Sequence, residues 1–181
     1  MPLFQTAVLN KHLQNQYAPD WQEKWIAYKK HFLNPAVQQN ISSAKEEQYQ
    51  EGFLTDLFVQ LLGYTKYPNP NYNITTEQKN QKDSKKADGA IIIQQEVRAV
   101  IELKGTNSTD LNKIEAQAFG YKHNHPNCSY VIISNFEKLR LYIDNAIEFI
   151  EFHLFGLSER EFQTLYLLLS YQSIAADIPR Q

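Results

Sequence analysis

Asp88, Glu102 and Lys104 interrupt two otherwise apolar runs, Ala87-Asp88-Gly89-Ala90-Ile91-Ile92-Ile93 and Ala99-Val100-Ile101-Glu102-Leu103-Lys104-Gly105. Removing an ionised side chain from water costs several kcal/mol, roughly, unless it is paired or holds a metal. Charges are therefore scarce in runs of this kind. Two acids and a lysine placed there point to a cation site built for chemistry on an anionic substrate.

A turn sets the register that joins them. If Gln94-Gln95-Glu96 is a three-residue hairpin loop, Ile93 faces Val97, and counting back in pairs brings Asp88 opposite Glu102. Lys104 then shares their face, because side chains repeat every second residue. Two facing carboxylates repel and raise each other's pKa, and Mg²⁺ relieves this by taking one or two carboxylates together with phosphate oxygens. Beside such an ion Lys104 can orient a water or stabilise charge developing on a phosphate. A slip of one residue would turn Asp88 away, so the loop length matters.

The elements around this pair suit an α/β core. Residues 110–121 read as a helix capped by Thr109 or Asp110, with Leu111, Ile114, Ala118 and Tyr121 on one stripe and Gln117 one turn before Tyr121. After Asn124-His125-Pro126-Asn127 the apolar run 129–134 reads as a buried strand. Upstream, Ser43-Ala44-Lys45-Glu46 has the form of a capping box, and Phe53, Leu54, Leu57, Phe58, Leu61 and Leu62 form a helical apolar face that stops at Gly63. Glu47 and Glu51 stand a turn apart on that helix, and either could reach the metal site from the side.

In this order, a helix with an acid, an Asp, a Glu-x-Lys one hairpin later, a helix carrying Gln-x-x-x-Tyr and a buried strand, the chain resembles the PD-(D/E)xK nuclease superfamily. Lys45-Glu46-Glu47-Gln48-Tyr49-Gln50-Glu51-Gly52-Phe53-Leu54, Leu62-Gly63-Tyr64, Lys85-Lys86-Ala87-Asp88-Gly89, Ile101-Glu102-Leu103-Lys104-Gly105 and Gln117-Ala118-Phe119-Gly120-Tyr121 look like the N-terminal nuclease domain of type IIG restriction-modification enzymes. The likeness runs from about Leu3 to Tyr171. It implies a restriction-endonuclease-like fold, a mixed central β-sheet flanked by helices, here with extra N-terminal helices. It also implies a metal-dependent DNA endonuclease in which Asp88 and Glu102 bind Mg²⁺ (Mn²⁺ substituting), with the Leu103 carbonyl as a further ligand. Lys104 would position the attacking water, and Glu47, favoured over Glu51, would support the site with Gln117. Cleavage would leave a 5′-phosphate and a 3′-hydroxyl. The family's Pro before the metal-binding Asp is Ala87 here, a position that shapes backbone and binds nothing. Implied partners are double-stranded DNA and methyltransferase and target-recognition domains in the same or a partner chain; dimerisation is left open.

Taken singly, these motifs have plainer readings: Asp88-Gly89 as a turn, Glu102 and Lys104 as an exposed edge pair, Gln117 as helix surface. Their joint occurrence in apolar strands favours the catalytic reading. Two rival classes remain, a non-catalytic nucleic-acid-binding module with the same fold and a structural or interaction domain.

Composition frames this. With 181 residues and 43% hydrophobic content the chain can bury one core, and the formal net charge of −2 gives no bulk attraction to nucleic acid. Local cations exist at Lys79, Lys82, Lys85 and Lys86; Lys85 and Lys86, nearest Asp88, are the candidate phosphate contacts. The five histidines lack metal-ligand spacing, and the single Cys128, beside a buried strand, reads as core. No run approaches the ~18 apolar residues of a membrane span and no signal-peptide pattern opens the chain, so a soluble cytoplasmic protein is expected.

The expected division is a single domain: a helical extension over 1–40, a catalytic core over 41–157, a C-terminal helix over 158–172 and a tail or linker over 173–181. Phe4–Tyr17 and Asp20–Phe32 read as helices, the second with a capping box Asp20-Trp21-Gln22-Glu23. Residues 73–77 read as a strand, and 139–143 with 147–152 as a hairpin turning at Asp144-Asn145. Ser158-Glu159-Arg160-Glu161 opens the last helix as a capping box.

Overall fold

Why Asp88 and Glu102 meet is decided by the sheet that carries them. The computed structural model of the chain describes residues 3–80 and 83–181. Six strands, β1 (Ile74–Lys79), β2 (Lys86–Ile93), β3 (Glu96–Leu103), β4 (Tyr130–Ser134), β5 (Lys138–Ile143) and β6 (Phe149–His153), pair in chain order. All neighbours run antiparallel except β3 and β4, which are parallel and joined by the crossover helix α5 (Asn112–His123). The sheet is mixed and flanked by helices, the α+β class expected, and the hairpin from β5 to β6 extends it as foreseen.

Burial of both faces of the central strands explains their near-continuous apolar runs. Ala99, Ile101 and Leu103 of β3 share a core with Tyr28, Phe32, Phe53 and Phe58, while Val100 shares one with Leu111, just before α5, and with Ile114 and Ala118 of that helix. Glu102 lies on the α5 face by alternation. The first face is covered by α2 (Ala18–His31), α3 (Pro35–Ser43), α4 (Glu46–Phe53) and α6 (Glu159–Leu169), and α1 (Thr6–Asn15) packs against α6. A π-helical stretch, Leu54–Val59, continues α4, and Gly63 closes the segment at φ 84°, a left-handed conformation that favours glycine.

Several local expectations change. The helix after residue 43 opens at Glu46 with Lys45 as N-cap, and Ser43 belongs to the end of α3, where its Oγ donates to the Gln39 carbonyl. The expected capping box therefore does not form. Nor does the one at Asp20, because α2 starts earlier, at Ala18, with Pro19 in its first turn. Helix α3 was not expected; Asn34 caps it by accepting from the Ala36 amide at 3.0 Å. The box at Ser158 and Glu161 is present in both directions.

Residues 173–181, expected as a tail or linker, fold back. Helix α7 (Tyr171–Ala175) buries Ile174, and Asp177 accepts from the Tyr130 hydroxyl at 2.5 Å and from Arg98 at 3.3 Å. Only one apolar turn was available to announce this, too short for periodicity to register. Among the described residues, no helix is long and apolar enough to cross a membrane.

Candidate active site

Strands β2 and β3 are joined by two residues, not three. Ile93 pairs with Glu96, and Gln94 and Gln95 both take left-handed conformations, at φ 51° and 66°, as a tight hairpin turn requires. That turn alone would misplace Asp88. A bulge offsets it: Ile92 pairs with Val97 but Ile91 with Ala99, leaving Arg98 unmatched. Beyond the bulge Gly89 pairs with Ile101, and the next step sets Asp88 against Glu102. The expected pairing is reached by a different route. Gly89 has its own constraint, since a Cβ there would lie 3.3 Å from Leu54 Cδ1 and 3.4 Å from Ile101 Cβ.

At this end of the strands the side chains form one network. Asp88 Oδ2 accepts from the Leu103 amide at 2.8 Å, which fixes the half-buried carboxylate against β3. Glu102 is 1% exposed. Its Oε1 accepts from Gln117 Nε2 at 2.6 Å and faces Lys104 Nζ at 3.2 Å, while its Oε2 is buried with no protein partner. Gln117 Nε2 also donates to the Tyr121 hydroxyl at 3.1 Å, so α5 orients the amide. The Lys104 amide donates to the Ser134 carbonyl at 2.9 Å, anchoring the lysine to β4.

Glu47 is exposed, and Glu51 pairs with Lys66 at 2.5 Å. Neither is brought to Lys104. Their neighbour Glu46 is: its Oε1 stands 3.8 Å from Lys104 Nζ and accepts from Gln50 Nε2 at 3.2 Å. The Ser43–Glu46 pattern had suggested that Glu46 folds back as a cap, which hid it as a site acid. Because α4 starts one residue earlier than Glu47, the first-turn position nearest the strand ends falls to Glu46.

The electrostatics follow from burial. Desolvation raises the Glu102 pKa to about 7, with the Asp88 charge adding to it and Lys104 opposing. Asp88 is also raised, chiefly by desolvation, although the Leu103 amide and Lys104 pull the other way. At Lys104 desolvation works against the charge, but Glu102, Glu46 and Asp88 outweigh it and hold the ammonium above its ordinary range. Lys104 is thus a cation and hydrogen-bond donor at neutral pH, and not a proton acceptor.

Of the expected phosphate contacts, Lys86 pairs with Glu77 at 3.1 Å, and Lys85 is exposed beside a groove of about 490 Å³ that it shares with Gln117, Tyr121 and Asn124. Lys79 sits opposite Lys86 on β1, and Lys82 lies outside the described residues. Cys128 is buried and its thiol is pushed up to about 11 by burial, as suits a core residue.

Among the described residues no group of three or more His, Cys, Asp and Glu side chains is gathered as a ready metal cage. Mg²⁺ does not need one, since it commonly takes one or two carboxylates and keeps water or substrate oxygens for the rest. The unpartnered, buried Oε2 of Glu102 beside Asp88 fits that demand: it is a carboxyl oxygen with no donor, and a hard cation would satisfy it and favour the ionised form.

Comparison with known proteins gives one family. The model described as MmeI, N-terminal domain, matches residues 30–178. No curated protein and no solved structure matches the chain.

Proposed function

Since the chain belongs to the MmeI N-terminal domain family, a domain of type IIG restriction enzymes, we propose that it is their metal-dependent endonuclease, hydrolysing phosphodiesters of double-stranded DNA. The observation that carries this reading is Glu102: a fully buried carboxylate with one oxygen held by Gln117 and Lys104 and the other left without a donor, set against Asp88. A carboxylate kept at that cost has a use for its free oxygen.

Asp88, Glu102 and the Leu103 carbonyl would hold the ion. Mg²⁺, or Mn²⁺ in its place, would offset charge on the scissile phosphate and favour ionisation of a water. Lys104, charged and tethered between Glu102 and Glu46, donates to the attacking water and to the phosphate oxygens as negative charge builds. Gln117 keeps the Glu102 carboxylate from turning, and the Leu103 amide does the same for Asp88. Water oxygen bonds to phosphorus and gives up a proton to solvent, the bond to the 3′-oxygen breaks, and the departing oxygen takes up a proton from solvent water. The products are a 5′-phosphate and a 3′-hydroxyl.

Lys85 and Lys86 would steady the flanking phosphates. Target choice would come from methyltransferase and recognition domains in the same or a partner chain, with the enzyme acting in the cytoplasm as a monomer or dimer. Glu46 takes the supporting place expected of Glu47.

An end-labelled duplex incubated with Mn²⁺ tests the chemistry. Fragments should be religated by DNA ligase, which requires the 5′-phosphate, and Lys104→Ala should cut slower by roughly 10²–10³-fold. Cutting by Lys104→Ala at the parental rate would sink the proposal. DNA affinity indifferent to metal and to Glu102→Ala would instead favour a binding module, and no DNA affinity at all an interaction domain.

A further inference from the structure

At the other end of β2 and β3, roughly 16 Å along the strand from Asp88, lies a cavity of about 800 Å³ that the cleavage reading does not use. That volume is in the range of small-ligand sites. Its lining combines the aliphatic Ile92, Ile93 and Val97 with the amide residues Asn71, Gln94, Gln95 and Asn127. Of the described residues that line it, Glu96 alone carries a formal charge, and Asn127 Nδ2 already donates to its Oε1 at 2.8 Å. Among the described residues no lysine or arginine lines it, so its lining is suited to a neutral ligand.

Two further observations point to a ligand. His125 borders the cavity, is 4% exposed, and has no hydrogen-bond partner at either ring nitrogen. Buried polar atoms are rarely left so, and desolvation keeps this imidazole neutral by lowering its pKa. Asn71, Gln94 and Gln95 line it from left-handed backbone, at φ 59°, 51° and 66°, which at the two glutamines is the conformation of the hairpin turn and one that glycine adopts without strain. Beside them the Tyr72 ring is 40% exposed and is braced edge-on by Tyr67, with centroids 5.1 Å apart and planes at 89°.

We propose that this cavity binds a nucleobase. A flat neutral heterocycle has two apolar faces, for the aliphatic residues and Tyr72, and an edge of donors and acceptors, which side-chain amides read as pairs. The base can come from a free nucleoside or from an unpaired position of a nucleic-acid strand; the chemistry is shared. The site stands independently of cleavage at Asp88.

The test is calorimetric titration of the full chain with adenosine, guanosine, cytidine and thymidine, and with a short single-stranded DNA of mixed sequence. At least one of these ligands should bind with a Kd below about 1 mM. Binding should weaken at least about tenfold in Tyr72→Ala and in the double variant Gln94→Gly/Gln95→Gly. The double variant should melt no lower than the parent, because glycine accepts the left-handed turn. Nucleoside binding that the oligonucleotide does not compete for identifies a free-nucleoside site; mutual competition identifies an unpaired base. The proposal is overturned if no nucleoside or oligonucleotide binds, if both variants bind as the parent does, or if glucose binds better than every nucleoside.

Discussion

Gln117 Nε2 donates to Glu102 Oε1 over 2.6 Å, tying the crossover helix to the carboxylate at the end of the strand that precedes it. Deleting that amide leaves the buried Glu102 with Lys104 as its remaining donor. Gln117→Ala should keep the fold and lower cleavage or Mn²⁺ affinity by about 10–100-fold, the usual effect of removing a group that orients a metal-binding carboxylate. Cleavage rates measured across a Mn²⁺ titration separate the two effects, and a curve superimposable on the parent's would show that Gln117 is idle.

Glu46 and Glu47 are adjacent in sequence and unequal in position. Glu46 faces Lys104 at 3.8 Å, whereas Glu47 is exposed. Glu46→Gln should slow cleavage by about tenfold or more, and Glu47→Gln by less than about twofold. The reverse order would restore Glu47 as the supporting acid.

Protonation of Glu102 links pH to stability in metal-free protein. Its pKa is raised from the ordinary glutamate value to about 7 by burial and by Asp88. A carboxyl whose folded pKa lies above the unfolded one binds more protons when folded, so stability falls as pH rises from about 4.5 to about 7 and then levels. The change is on the order of 3 kcal/mol at most. With chelator present, the melting temperature should be higher at pH 5.5 than at pH 8, and Glu102→Gln should flatten that difference. A parent whose stability rises across the same interval would contradict the assignment of a desolvated, partnerless oxygen.

The C-terminal segment should behave as part of the fold. Ile174 is 1% exposed in the main core, so Ile174→Ala should cost about 2–4 kcal/mol in urea denaturation. Asp177→Ala would strip the partner from the Tyr130 hydroxyl and cost about 1–3 kcal/mol. Unchanged midpoints for both would return residues 173–181 to the status of a tail.

The sheet and the central pair were legible because strong local signals agreed. Charges in apolar runs marked Asp88, Glu102 and Lys104, and period and turn residues marked the strands around them. The hairpin was harder: Gln94-Gln95 lacks the Asn-Gly signature of a two-residue turn, and nothing local announces the bulge at Arg98, whose guanidinium is drawn to Asp177 from the far end of the chain. Those two misreadings offset each other at Asp88. Glu46 was missed for a similar reason, since a capping pattern and a site acid look alike until the helix start is known. Helix α3 and residues 173–181 are too short for periodicity; tertiary burial decides them.

The most direct test of the catalytic account is nicking of supercoiled plasmid by purified protein with Mn²⁺ or Mg²⁺, run beside Asp88→Ala and a chelator control. Metal-dependent nicking that disappears in both controls is the predicted result. Nicking that survives Asp88→Ala at the parental rate would contradict it, because the carboxylate held by the Leu103 amide would then have no part in the reaction.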